Sequence, residues 1–257
     1  MPRSPARYTY AFGPGGITPV VKGLIIANVA VFVMQVVLGL ASPAAMRAVF
    51  EPFALAPRDV IQRGWLWQIV TYMFLHGGVF HILFNMLSLW MFGTDLERLW
   101  GSKFFARYYF VTGIGAGIVT VLVALLPFSA TQLMYIGSTV GASGAIFGLL
   151  LAYGVTFPDR PIYLYFLFQI PAKYFVMIVG AVALYSSLTA EGGGVAHFAH
   201  LGGIVIGYAY LKMGRRVRFH PIAEMKYRYT KWKISRLRRK FDVHQGGRSD
   251  DWKGRIH

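Results

Sequence analysis

The sequence predicts an all-α membrane protein: a polytopic bundle of six transmembrane helices followed by a basic cytoplasmic C-terminal tail. Three observations predict it. The 257 residues are 56% hydrophobic and only 14% charged, whereas soluble domains carry about 25% charged residues. Six apolar runs divide residues 17–213, several of them near the roughly 20 residues a helix needs to cross a bilayer core. The net charge of +16 is concentrated beyond the last run, since residues 214–257 hold 14 of the 26 Lys and Arg. The chain has no cysteine, which excludes disulfides, thiolate catalysis and cysteine metal sites.

Residues 1–16 form an N-terminal cytoplasmic segment with Arg3, Arg7 and a Gly/Pro-rich stretch. No small-residue cleavage site stands out after the first apolar run, so that run is expected to remain as an anchor. The first span covers about 17–40 and ends at Ser42-Pro43. Residues 42–77 make a long connection containing Trp65 and Trp67, expected to rest in the membrane interface where indole rings accumulate. The second span, 78–93, is short and contains His81, Asn85 and Ser88. Asp95, Glu97, Arg98 and Lys103 follow as an expected charged turn. The third span, 104–128, includes Gly113, Gly115 and Gly117, which permit close helix contact. A short connection leads to the fourth span, 141–157, which ends at Pro158-Asp159-Arg160-Pro161. The apolar stretch 161–171 lies between two prolines and reads as a loop or interfacial segment. The fifth span covers 172–190 and the sixth 195–213, joined through Glu191-Gly192-Gly193-Gly194. The domain expectation is therefore 1–16, a membrane domain over 17–213, and a tail over 214–257.

Six spans leave both termini on one side, and the positive-inside rule selects it. With the termini inside, all the Lys and Arg except Arg47, Arg58 and Arg63 fall in inner segments. Both termini are expected in the cytoplasm. The tail continues directly from a span, so its basic residues are expected against anionic lipid rather than nucleic acid. Tyr227, Ile234, Leu237 and Phe241 recur at helical spacing within it. Two readings stand: an amphipathic surface helix or a solvated tail.

Polar residues inside a span are costly and need a reason. Three sets occur: His81 with Asn85, Ser143, and His197 with His200. Each belongs to a span running from outside to inside, and each lies in its first turns. They are thereby expected at one depth, just below the outer face. His81 and Asn85 are four apart and share a helix face. Gly144 and Gly148 flank Ser143, and Gly203 and Gly207 share a face with His200. Two glycine-faced helices pack closely enough to bring a hydroxyl to an imidazole. Ser143 then serves as nucleophile and His200 as general base and acid. The Ser143 backbone N–H, Asn85 and His81 are candidate oxyanion donors. No carboxylate in these spans orients His200, so a dyad is expected, with Phe147 stacked on the imidazole. His197 is a cavity-lining residue in this reading and the competing candidate for the base.

These residues resemble those of the rhomboid family of intramembrane serine proteases. Gly141-Ala142-Ser143-Gly144 resembles the nucleophile motif. Ala199-His200 with Gly203 and Gly207 resembles the histidine motif. His76, His81 and Asn85 resemble the motif of the second span, and Glu97-Arg98 the pair after it. The resemblance covers about residues 60–210. It implies a six-helix core, cleavage of transmembrane protein substrates near the outer membrane face, and no cofactor or metal. Trp67-Gln68 stands where many members have Trp-Arg, and Phe147 where tyrosine is common. The rivals are a catalytically silent membrane adaptor on the same scaffold, and a metal-binding protein using His76, His81, His197 and His200. The expected location is a prokaryotic plasma membrane.

Overall fold

The structure is a computed structural model and describes residues 14–127, 129–164, 168–189 and 195–214. The tail residues Tyr227, Ile234, Leu237 and Phe241 lie outside them, as does most of the 1–16 segment. Helix α1 (Pro19–Ala41) starts with proline at its first position, where the missing N–H costs nothing. It stops at Ser42, whose hydroxyl accepts the Ala45 N–H at 3.2 Å and opens α2 (Pro43–Phe50). The expected long connection is built rather than irregular. A 3₁₀ turn, Glu51–Phe53, leads to α3 (Pro57–Arg63), which ends at Gly64 in the left-handed region at φ 69°. Helix α4 (Gln68–Thr71) and a second 3₁₀ turn, Tyr72–Phe74, complete it.

Gln68, at the expected point of departure from the family pattern, is fully buried and anchors this connection. Its Oε1 accepts the Ala56 N–H at 3.0 Å and its Nε2 donates to the Pro52 carbonyl at 3.2 Å. Trp67 Nε1 donates to the same carbonyl at 2.9 Å. The glutamine thus ties the connection back on itself through two hydrogen bonds.

The second span is longer than expected. Helix α5 (Val79–Ser88), a π turn at Leu89–Gly93 and α6 (Thr94–Trp100) run on as one segment, Val79–Trp100. The charged stretch read as a turn is helical, because its charges have partners there. Glu97 is only 3% exposed and receives the Thr18 hydroxyl at 2.6 Å, the Val20 and Val21 N–H groups at 3.1 and 3.0 Å, and the Ser102 hydroxyl at 2.6 Å. It thereby caps the open N-terminus of α1, whose first N–H groups have no partner within the helix. Arg98 donates to the Pro14 and Gly16 carbonyls beside it. Glu97→Ala strips four donors at once. It is expected to lower unfolding free energy by on the order of 2–4 kcal/mol, read as a fall in the detergent-solubilised protein's thermal midpoint.

Gly101 (φ 78°) turns the chain into α7 (Ser102–Ala124). The connection after it contains another unexpected helix, α8 (Ser129–Ile136). Then come α9 (Ser143–Thr156), α10 (Ala172–Thr189) and α11 (Val195–Gly214). Between α9 and α10 the stretch bounded by prolines forms an antiparallel hairpin, β1 (Pro161–Leu164) with β2 (Phe168–Pro171), pairing Ile162 with Ile170. Arg160 binds Asp95 of α6 at 2.8 Å at the foot of this hairpin.

Pro19–Ala41, Val79–Trp100 and Ser102–Ala124 are each long and apolar enough to cross a membrane, and Ser143–Thr156 and Ala172–Tyr185 are shorter apolar helices. Helix α1 leaves Met34 60%, Val37 61% and Leu40 84% exposed. Such an apolar face is a liability in water and fits contact with lipid. Helices α7, α9 and α11 pack against one another at the centre.

Candidate active site

The centre is built on small residues. A Cβ added to Gly203 would lie 1.9 Å from the Gly144 carbonyl oxygen. Helices α9 and α11 therefore touch backbone to backbone, as small residues allow. Gly148 lies against the Gly203 carbonyl, and Gly207 against Gly148 and the Tyr108 hydroxyl. Tyr108 in turn donates to the Gly148 carbonyl at 2.7 Å. This contact fixes the lateral and axial position of the two helices, and so of what they carry at their N-terminal ends.

Ser143 is the first residue of α9 and His200 the sixth of α11. His200 Nε2 and Ser143 Oγ are 2.8 Å apart, a full hydrogen bond. The Phe147 ring, one turn after Ser143, stacks on the His200 imidazole at 4.2 Å between centroids and 5° between planes. The parallel faces leave the imidazole little freedom to rotate away. His197 lies in α11, three residues before His200; its side chain is outside what the structure describes.

The segment before Ser143 is held from two sides. Thr139 and Leu55 exchange backbone hydrogen bonds at 2.9 and 3.0 Å, and the Gly141 N–H donates to the Tyr72 carbonyl at 2.8 Å. Tyr72 was not anticipated as a site residue. Its hydroxyl donates to the Gly113 carbonyl at 2.7 Å, so it ties α7 to the site loop. Gly141 has φ 123°, and a Cβ on it would meet His81 Nε2 at 2.6 Å and Asn85 Nδ2 at 3.6 Å. Only glycine both adopts this backbone and lets the imidazole approach. The α5 pair predicted to share a face thus converges on the residue two before Ser143.

The donors on this side are specific. The Gly77 N–H donates to His81 Nδ1 at 3.3 Å. With Nδ1 accepting, a neutral imidazole carries its proton on Nε2, the atom facing Gly141. Asn85 is buried, and its Nδ2 has no hydrogen-bond partner among the described residues. An orphaned buried donor is costly, and it stands beside the loop that leads into Ser143. His76 lies behind His81, 3% exposed, with ring centroids 5.1 Å apart and edge-on. Burial, and then the neighbouring His81, push the His76 imidazole down to about 4, so it is neutral at pH 7. Among the described residues no three His, Asp or Glu side chains come together as a metal-ligating group.

The comparisons with known proteins agree with this architecture. The Rhomboid domain model matches residues 63–217. The chain is 33% identical over 144 residues to "Rhomboid protein 1, mitochondrial" of Saccharomyces cerevisiae, covering 56% of this chain and 40% of that protein. It is 30% identical over 209 residues to "RHOMBOID-like protein 12, mitochondrial" of Arabidopsis thaliana, covering 76% and 59%. It is 30% identical over 163 residues to "Rhomboid protease GluP" of Bacillus subtilis, covering 61% and 27%. The aligned part therefore spans between 27% and 59% of the length of these three relatives. The family match covers more than half of the chain and includes both helices that bring Ser143 to His200, and on that ground the protein belongs to the rhomboid family of membrane proteins.

Proposed function

We propose that this protein is an intramembrane serine endopeptidase that cleaves transmembrane protein substrates near the outer membrane face. The observation that carries the reading is the 2.8 Å contact between His200 Nε2 and Ser143 Oγ. His200 accepts the Ser143 proton as Oγ attacks the scissile carbonyl carbon, forming a tetrahedral intermediate. The imidazolium then gives that proton to the leaving amine, and the C–N bond breaks to leave an acyl-serine. Water, deprotonated by His200, releases the new carboxylate and restores the hydroxyl. Phe147 keeps the ring in place across both halves of the cycle.

The oxyanion is served by three donors: the Ser143 N–H at the open start of α9, Asn85 Nδ2 and the His81 Nε2–H. The unmatched Asn85 amide supports this role, since an acceptor that appears only during reaction would complete it. The macrodipole of α9 adds partial positive charge at the same point. Asn85→Ala is expected to lower kcat by roughly 10²–10³-fold with little change in KM, measured on a purified transmembrane substrate.

The basic tail supports a cytoplasmic position for both termini, with the tail against anionic lipid. A cell-membrane location is supported by the match to a Bacillus protein, while two other relatives are named mitochondrial. The deciding experiment is labelling by a fluorophosphonate probe. Wild-type protein should label at Ser143, and Ser143→Ala should not. Labelling that persists in Ser143→Ala, or fails in the folded wild type, favours the silent adaptor.

A further inference from the structure

One polar side chain in the first span is not used by this mechanism. Gln35 lies in the second half of α1, where residues 29–41 are otherwise apolar or glycine and a polar group calls for a partner. Its Oε1 accepts the backbone N–H of His76 at 3.1 Å. The next backbone N–H, that of Gly77, donates to His81 Nδ1 at 3.3 Å. Two consecutive peptide groups therefore connect α1 to the imidazole. The His76 ring, buried and edge-on against His81, fills the space behind it. Helix α5 begins only at Val79, with the Gly78 carbonyl accepting its first helical N–H from Ile82 at 3.1 Å, so residues 75–77 take no position from its helical hydrogen bonds. The 3₁₀ turn holds this segment on one side and Gln35 holds it on the other.

We propose that Gln35 is a positioning residue for the oxyanion donor: by fixing the His76–Gly77 backbone it keeps the Gly77 N–H on His81 Nδ1, and thereby the proton on His81 Nε2 aimed at the reacting carbonyl. This rests on the reading of His81 as an oxyanion donor. A neutral imidazole has two tautomers, and the bond made by one nitrogen decides which is present. If the Gly77 N–H moves away, the ring can carry its proton on Nδ1 and turn an acceptor toward the oxyanion. Gln35 touches neither substrate nor reacting atoms, so its effect falls on kcat and not on KM.

The test is kcat and KM of the full chain in detergent for Gln35→Met, Gln35→Glu, His81→Ala and the Gln35→Met/His81→Ala pair. Gln35→Met has similar length and only a weakly accepting thioether in place of the amide oxygen. It is expected to lower kcat by about 5–10-fold with KM within twofold. Gln35→Glu keeps an oxygen for the His76 N–H and should recover most of that loss. Adding Gln35→Met to His81→Ala should cost nothing further, because the residue it positions is gone. Gln35→Leu takes the place of the methionine variant if the latter fails to fold by its thermal midpoint. Equal losses with and without His81, or a folded Gln35→Glu no better than Gln35→Met, would overturn the proposal and leave a general structural role. Wild-type kcat in His81→Ala would instead overturn the oxyanion assignment on which it rests.

Discussion

Ser143→Ala is expected to abolish cleavage of a transmembrane substrate, and His200→Ala to do the same, each lowering kcat by on the order of 10⁴-fold or more. His200 Nε2 and Ser143 Oγ lie 2.8 Å apart, and in the proposed mechanism they exchange one proton, so either loss disables the same step. The double variant should therefore be no worse than either single one, which distinguishes a catalytic unit from two independent contributions. Both variants should remain folded. Ser143 is only partly buried at the start of its helix, and the packing of α9 on α11 is made by the glycines rather than by the dyad. Initial rates and thermal midpoints on the same samples check this. An active His200→Ala beside an inactive His197→Ala would transfer the base to His197.

The second large effect comes from one methyl group a helical turn beyond His200. Gly203→Ala places a carbon 1.9 Å from the Gly144 carbonyl oxygen, where even close C···O contacts are about 3.3 Å. The obstacle is backbone, which no rotamer change relieves. Helices α9 and α11 must part by an ångström or more, and Ser143 and His200 part with them. Overpacking of this kind costs typically about 1–3 kcal/mol, and a displacement near 1 Å in a catalytic pair costs about 10²-fold in rate. Gly203→Ala is thus expected to lose both stability and at least about 10²-fold in kcat. Gly180→Ala in α10 is the control. Its Cβ would meet only the Ile204 Cδ1 at 3.8 Å, an ordinary contact, so folding and rate should stay close to wild type. A fully active Gly203→Ala would show that the backbone contact does not set the dyad distance.

Much of the helical layout was legible because lipid exposure makes hydropathy a direct signal of a span. The first, third, fourth, fifth and sixth expected runs match α1, α7, α9, α10 and α11 to within a few residues. The misreadings share one cause. Asp95, Glu97 and Arg98 read as a turn because charges end apolar runs, yet Glu97 has partners at Thr18, Val20 and Val21, more than 70 residues away. Residues 161–171 are an apolar run too short to assign by periodicity, and only pairing of Ile162 with Ile170 makes them a hairpin. Gln68 stands out in the sequence only as a departure from the family's Trp-Arg, and Gln35 only as a polar residue in a span. Their roles lie in hydrogen bonds to Ala56, Pro52 and His76, which no local pattern encodes.

The sequence by itself determined that this is a helical membrane protein, and it singled out Ser143, His200, His81 and Asn85. Burial in lipid makes polar residues rare, so the few present stand out. Tertiary structure alone decided how close these groups come. The 2.8 Å between His200 Nε2 and the Ser143 hydroxyl follows from the backbone contact of Gly144 with Gly203, and the orientation of the His81 ring from the Gly77 amide. Spacing along a helix sets which residues share a face. Distances between helices depend on which side chains are absent, and on hydrogen bonds between residues far apart in the chain.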